Sequence, residues 1–300
     1  MQDYFSRRRF LQASGLTLAA TAMATNPLAA AGNLFGPPHI GLQLWSVRDD
    51  MNKDAAGTLQ ALAKMGYREV ESFGYDAGAG KIFGLPFADF YKLVKDNGMT
   101  MPSSHASFPL TDYNAATKTL SDRAKKVIDA AASVGQKYII NPYVGEPERG
   151  QIAQLVQVYD AAARYARQAG LKFGYHNHDF EFLVKGPDGR LMYEWLLQEI
   201  DPQLMTMEMD IYWVYFAGYN ALDWIQLYPG RFELCHAKDM SAADKHPSIE
   251  FGDGTIDFKS IFAERSKAGL QYFIIELEHY LTTPMQGVQR SLENFAALKV

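Results

Sequence analysis

Eight short β-like runs alternate with helix-patterned stretches through residues 39–277, and this alternation is the strongest constraint on the fold. The runs are His39–Trp45, Glu69–Phe73, Thr100–Ser104, Lys137–Asn141, Leu171–Tyr175, Leu204–Met209, Arg231–Cys235 and Tyr272–Leu277. Between them, Ala55–Met65, Asp89–Asn97, Ala115–Val134, Ile152–Ala169, Tyr193–Ile200 and Leu222–Tyr228 carry apolar residues three and four apart, the helical period. Gly66, Gly98, Gly135, Gly170 and Gly269 stand where helices should stop, just before the next run. Parallel strands need crossovers long enough to hold a helix. Eight β/α units in one domain therefore predict a closed TIM-type (β/α)8 barrel in preference to an open doubly wound sheet. No G-x-G-x-x-G follows the first run, which weakens a dinucleotide-binding reading. The longest irregular stretches, 74–86 and 240–257, follow the second and seventh runs, on the side where barrel enzymes build their sites.

The first 31 residues read as an export signal rather than as part of this domain. Ser6-Arg-Arg-Arg-Phe-Leu-Gln12 is followed by a short, weakly apolar stretch, Leu16 to Ala24, and then small residues through Ala31. A basic start, a short apolar centre and an Ala-rich end make a signal peptide, and the paired arginines before Phe-Leu resemble the twin-arginine type. The apolar stretch is too short and too rich in Ala and Thr to span a bilayer. The expected location is periplasmic, with residues 38–300 as the barrel. The 300-residue chain carries a formal charge of −5; without residues 1–31, which hold Arg7, Arg8, Arg9 and Asp3, it is −7. An acidic chain without basic runs argues against a nucleic-acid partner. The single cysteine, Cys235, cannot form an internal disulfide and reads as a small core residue on the outer face of its strand.

Four of the runs end in polar clusters: His176-Asn-His178, Glu208-Met-Asp210, His236-Ala-Lys-Asp239 and Glu276-Leu-Glu278. Side chains alternate along a strand, so His176 and His178 share one face, as do Glu208 and Asp210, and Glu276 and Glu278. Adjacent strands run about 4.8 Å apart. His176, Asp210, His236 and Glu276, from strands five to eight, can therefore converge on one ion. Imidazole and carboxylate together suit Mn, Fe, Co, Zn or, less well, Mg.

Several segments together resemble the sugar phosphate isomerase/epimerase superfamily, also called xylose-isomerase-like TIM barrels. They are His39-Ile-Gly-Leu-Gln-Leu-Trp-Ser-Val-Arg48, Gly174-Tyr-His-Asn-His-Asp-Phe-Glu-Phe182, Met209-Asp-Ile-Tyr-Trp213, His236-Ala-Lys-Asp239, Phe251-Gly-Asp-Gly-Thr-Ile-Asp-Phe258 and Ile275-Glu-Leu-Glu278. The similarity spans residues 38–298. It implies one divalent metal, Mn favoured, held by strands five to eight, and a sugar, inositol or keto-sugar as substrate. Many relatives place Glu where this chain has His176, which keeps His178 open as a competing ligand. Relatives that bind extra metals, such as endonuclease IV, carry a His three residues after the strand-six Asp; Trp213 stands there instead, which points to one metal.

Around that metal the expected catalytic groups are Glu181, Lys238 and Glu278, with Glu181 as general acid or base, Glu278 or His105 as its counterpart and Lys238 polarising an oxygen. Expected substrate contacts are Trp45, Glu71, His105, Asn141, His178 and Trp213, the last suited to stacking on a sugar face. The expected reaction is isomerisation or epimerisation of an unphosphorylated sugar or keto-sugar through an enediolate, since no Arg cluster suits a phosphate. Elimination, dehydration or cleavage of a 3-keto-glycoside is the alternative on the same site. Hydrolysis through a metal-bound hydroxide and a non-catalytic periplasmic sugar-binding barrel are further ones. Oligomeric state is open, a homo-oligomer included.

Overall fold

The computed structural model describes residues 39–298, so the export signal read in residues 1–31 lies outside the described residues. Eight parallel strands close a barrel: β1 (His39–Gln43), β2 (Glu69–Phe73), β3 (Thr100–His105), β4 (Tyr138–Asn141), β5 (Lys172–His176), β6 (Met205–Asp210), β7 (Leu234–Ala237) and β8 (Tyr272–Ile275). Neighbours in space are neighbours in sequence, and β1 pairs with β8 to complete the ring. This is the TIM barrel that the alternation predicts. No helix among the described residues is long and apolar enough to cross a membrane.

Two apolar layers follow from strand alternation. Cys235, Phe273 and Ile275 face outward and join the core between strands and helices. Leu234, Tyr272, Ile274, Tyr138 and Ile140 face inward and form a separate apolar plug in the barrel. Gly174 belongs to that inner face: a Cβ there would stand 2.3 Å from Ile140 Cδ1, so the plug needs a residue with no side chain. Above the plug the inward positions turn polar, and the site begins.

The helices bury one face each. In Ile152–Gln168, residues Ile152, Leu155, Tyr159, Ala162, Ala163 and Ala166 are buried at three- and four-residue spacing. Truncating a fully buried Leu such as Leu155 to Ala costs about 2–5 kcal/mol by the usual cavity scale. Gly66 and Gly269 end their helices in the left-handed conformation, at φ 118° and 85°.

Most element boundaries shift by a residue or two from the sequence expectation, and three of the shifts have a clear local cause. The first run stops at Gln43, because the Gln43 side chain accepts the Trp45 N–H at 3.1 Å and turns Leu44–Val47 into a 3₁₀ helix. The expected helix 115–134 shortens to Asp122–Ser133, with Ser121 capping it by accepting the Ala124 N–H; the residues before it form a small hairpin, Tyr113–Asn114 against Thr119–Leu120. The seventh strand slides from 231–235 to Leu234–Ala237 because Arg231 leaves the strand, turning its buried guanidinium onto the carbonyls of Leu197 and Met205. His236 is therefore inside the strand and held by its ladder.

Candidate active site

The polar floor has two storeys. In the upper one, His176 closes β5, Asp210 closes β6, His236 lies in β7 and Glu276 follows β8; one donor atom of each lies within 4.8 Å of the other three, and all four residues are buried. Metal–nitrogen and metal–oxygen bonds of roughly 2.0–2.2 Å let donors up to about 4.4 Å apart share one ion, so small side-chain movements suffice. Lys238, fully buried on the same face as His236, brings Nζ to 2.9 Å from Glu278 Oε1, 3.3 Å from Glu276 Oε2 and 3.5 Å from Asp210 Oδ2. Three carboxylates thus surround one ammonium, leaving the charge that a divalent cation would balance. Asp210 Oδ2 is buried without a hydrogen-bond partner. Burial pushes the Asp210 carboxyl up to about 7, against the pull of Lys238. The orphaned oxygen and the charge surplus both fit a divalent ion among these donors.

The lower storey holds Glu71 from β2, His105 from β3 and Glu208 from β6, one inward position beneath Asp210. His105 Nε2 lies 2.7 Å from Glu208 Oε2 and 3.1 Å from Glu71 Oε1. Gln43 Nε2 donates to Glu71 Oε1 at 2.8 Å. Burial opposes a charge on His105, but Glu71 and Glu208 outweigh it and raise the imidazole to about 9. His105, His176, Glu208 and His236 also bring four donor atoms within 4.8 Å of one another, so this storey too has a cation-like geometry.

A cavity of about 490 Å³ opens over this floor. Its polar lining includes His105, His176, His178, Glu276 and Glu278, and its rim carries Trp45 and Tyr143, 41% and 46% exposed. An arginine sits on each rim aromatic: Arg48 lies 4.9 Å from the Trp45 ring and Arg149 5.2 Å from Tyr143. Arg123, the one arginine lining the cavity among the described residues, is engaged with Asp112 and the Ser107 carbonyl.

Sequence reasoning placed some of these groups and missed others. His176 meets the metal-type cluster, while His178 lies outside it, on the cavity wall between Tyr143 and Trp213, with Nδ1 buried and unpartnered. Burial, reinforced by Lys238, lowers His178 to about 3, so it is a neutral imidazole. Glu181, expected as the general acid or base, sits deeper than that expectation places it. It is fully buried and outside the cavity lining, where Oε1 accepts the Tyr175 hydroxyl at 2.6 Å and Oε2 accepts the His178 N–H at 2.9 Å; it braces the loop that carries His178. Asn141 is likewise spent on the fold, accepting the Phe108 N–H and donating to Tyr143 O and Tyr159 Oη. Trp213 packs its ring beside His178 and under Lys238, at 5.3 and 5.0 Å, in place of lining the cavity. Glu71, expected to touch substrate, instead contacts Gln43, His105 and His236. Glu208 belongs to the Glu208-Met-Asp210 cluster, to which the sequence reading gives no role beyond the shared face. Its signal was present in the alternation, since it shares the inward face of Asp210.

Asp239 organises the loop after β7. Its carboxylate accepts the N–H groups of Met240, Gly252, Gly254 and Ile256 at 2.8–3.2 Å.

Comparison with known proteins agrees with this geometry. The chain matches the description of a xylose isomerase-like TIM barrel over residues 59–298. No curated protein matches it. A sugar phosphate isomerase/epimerase from Parabacteroides distasonis ATCC 8503 is 27% identical, with a TM-score of 0.75 over 90% of this chain and 98% of its own. The fold is shared with the Escherichia coli 3-keto-D-glucoside 4-epimerase YcjR, at 14% identity and TM-score 0.64 over 87% of this chain and 100% of its own. It is shared as well with the IolI protein solved with a zinc atom, at 13% identity and TM-score 0.65 over 87% and 97%. With the matched region covering most of the chain and the ligand-type side chains at the mouths of strands five to eight, the protein belongs to the xylose isomerase-like TIM-barrel family.

Proposed function

We propose that this protein is a divalent-metal-dependent isomerase or epimerase of an unphosphorylated sugar or keto-sugar. The observation that carries the reading is the convergence of His176, Asp210, His236 and Glu276 within 4.8 Å of one another at the floor of an aromatic-rimmed cavity. These four would hold the ion, which when bound supplies Lewis-acid stabilisation of charge developing on substrate oxygen. The mixed imidazole–carboxylate set suits Mn, Fe, Co or Zn, and the resemblance to the family favours Mn among them.

The chain's own residues divide the remaining work. Glu278 faces the cavity and is paired with Lys238, so it is placed to take a proton from a substrate carbon. His178, a neutral imidazole on the same cavity, is placed to hydrogen-bond a substrate oxygen. Transfer between two carbons gives isomerisation, and return to the opposite face of one carbon gives epimerisation. Lys238 keeps the charge of Glu276 and Glu278 in check. Trp45 and Tyr143 offer flat apolar surface to a sugar ring. Arg123 is committed to Asp112, which supports a substrate without a phosphate.

A second reading, cleavage of a 3-keto-glycoside on the same site, is favoured by the extent of the cavity and its two exposed rim aromatics, which leave room beyond a single sugar ring. Incubation in deuterium oxide with a panel of sugars and 3-keto-glycosides, Mn added, separates the cases. Deuterium in a recovered isomer or epimer supports the first reading. Release of free sugar without isomerised product supports the second, and no conversion with tight binding leaves a sugar-binding barrel. We place the enzyme in the periplasm on the twin-arginine pattern at Arg7-Arg8; export lost on changing both to Lys tests that placement.

A further inference from the structure

The two histidines shared by the upper and lower storeys present one ring nitrogen to each. His176 turns Nε2 toward Asp210 Oδ2 (3.8 Å) and Nδ1 toward Glu208 Oε2 (3.2 Å). His236 turns Nδ1 toward Glu276 Oε2 (3.0 Å) and Nε2 toward Glu71 Oε1 (2.8 Å) and Glu208 Oε2 (3.3 Å). An imidazole that gives a lone pair to a metal through one nitrogen carries its proton on the other. A carboxylate facing that second nitrogen fixes the tautomer and ring angle and raises the basicity of the ligating nitrogen.

We propose that Glu71 and Glu208 are positioning residues for metal binding: a buried carboxylate storey that accepts His236 Nε2–H and His176 Nδ1–H, so that His236 Nδ1 and His176 Nε2 face the cation. The inference rests on the metal reading proposed above and extends it to residues that reach neither substrate nor ion. His105 Nε2 stands between the two carboxylates and ties them together, and Gln43 pins Glu71 from the other side. Both carboxylates are almost completely buried, 1% exposed for Glu71 and 0% for Glu208, which is costly without such partners. Their second oxygens, Glu71 Oε2 and Glu208 Oε1, have no protein partner. A second cation in the lower storey is therefore the competing occupant. Held by His105, His176, Glu208 and His236, it would make both shared histidines bind metal through both nitrogens at once, which demands their full deprotonation, and the single-ion arrangement does not.

The experiment measures Mn²⁺ and Zn²⁺ affinity by chelator competition and ion stoichiometry by elemental analysis, on the full chain and on Glu208→Gln, Glu208→Leu and Glu71→Gln. Melting of the metal-free forms is followed in parallel. The expected result is one ion per chain throughout at saturation, with affinity weakened roughly 10–100-fold, the range typical of lost outer partners of metal-bound histidines. Glu208→Gln, which keeps an acceptor, should lose less affinity than Glu208→Leu, and the melting of the metal-free forms separates this from a general packing defect. If Glu208→Leu fails to fold, the isosteric Glu208→Gln and Glu71→Gln decide. Unchanged affinity in both overturns the proposal while leaving the metal reading intact. Two ions in the parent chain and one in Glu208→Gln also overturn it, making Glu208 a ligand. No ion bound by the parent chain removes the metal reading and this inference together.

Discussion

Lys238 Nζ lies 2.9 Å from Glu278 Oε1, joining a fully buried ammonium to a carboxylate that faces the cavity. The pair couples the metal-type cluster to the substrate space, because the same ammonium also reaches Glu276 and Asp210. Glu278→Gln keeps the shape and removes the proton acceptor. The expected outcome is unchanged ion content with kcat reduced about 10²–10⁴-fold, the range for loss of a general acid or base. Steady-state kinetics with elemental analysis checks it, and turnover within threefold of the parent would remove Glu278 from the proton path.

The ligand set is tested from the other side. Asp210→Ala and His236→Ala each remove one of four donors and leave buried partners uncompensated. Bound metal in the purified variants is expected to fall from one ion per chain to a small residue. Unaltered stoichiometry in both would end the metal reading.

Much of this arrangement was legible in the sequence, for a physical reason. Strand alternation has a fixed period, so Asp210 and Glu208 had to share a face, and helix stops at residues such as Gly66 and Gly269 marked the β/α repeat. What the sequence could not show was depth and loop path. Glu181 looked like a site acid because it follows His176 by five residues, yet the 3₁₀ turn Phe180–Phe182 buries it against Tyr175. Asn141 ends its strand facing Phe108 and Tyr159, because Ile140 takes the inward position. Glu71 and Glu208 sit one storey lower than a ligand should, and that depends on the stagger of strands around the ring, including the irregularity between Glu69 and Glu71.

Glu181 gives a pH prediction that separates bracing from catalysis. Burial raises its carboxyl from the usual 4.5 to about 8, against the hydrogen bonds from Tyr175 and His178. The folded state therefore holds a proton that the unfolded chain has released over that interval. Its contribution to stability is complete below about pH 4.5 and is lost progressively as the pH rises to about 8. Glu181→Gln mimics the protonated acid, its oxygen accepting the His178 N–H and its amide donating to Tyr175 Oη. The variant should keep kcat within about threefold, given that the group lies outside the cavity lining. It should also lose less stability than the parent between pH 5 and 8, as read by chemical denaturation. A large fall in kcat would return Glu181 to the catalytic set.

The rim aromatics predict a binding effect without a chemical one. Trp45 packs edge-on to Phe73 at 5.0 Å and carries Arg48 at 4.9 Å, so its orientation is set before any ligand arrives. Aromatic contacts of this kind are worth about 0.5–1.5 kcal/mol beyond buried area. Trp45→Ala should raise KM by roughly tenfold and leave kcat nearly unchanged, the pattern of an interaction equally strong in ground and transition states. A selective loss of kcat would mean that Trp45 orients the reacting carbon.

Asp239 and Gly254 give the last test, of how the loop after β7 is held. The Asp239 carboxylate collects four backbone N–H groups, and a Cβ at residue 254 would stand 2.3 Å from Asp239 Oδ1 and 2.5 Å from Met240 O. Both obstacles are close, and one is backbone, so the loop has to move to admit a methyl group. Gly254→Ala should therefore lower the melting temperature by several degrees, equivalent to about 1–3 kcal/mol. Asp239→Asn, which keeps one acceptor oxygen but loses the charge and two-sided acceptance, should destabilise by a similar amount. Because the two changes break one clamp, the double variant should lose much less than the sum of the singles. Strict additivity in thermal or chemical unfolding would show that Asp239 and Gly254 act on separate parts of the loop.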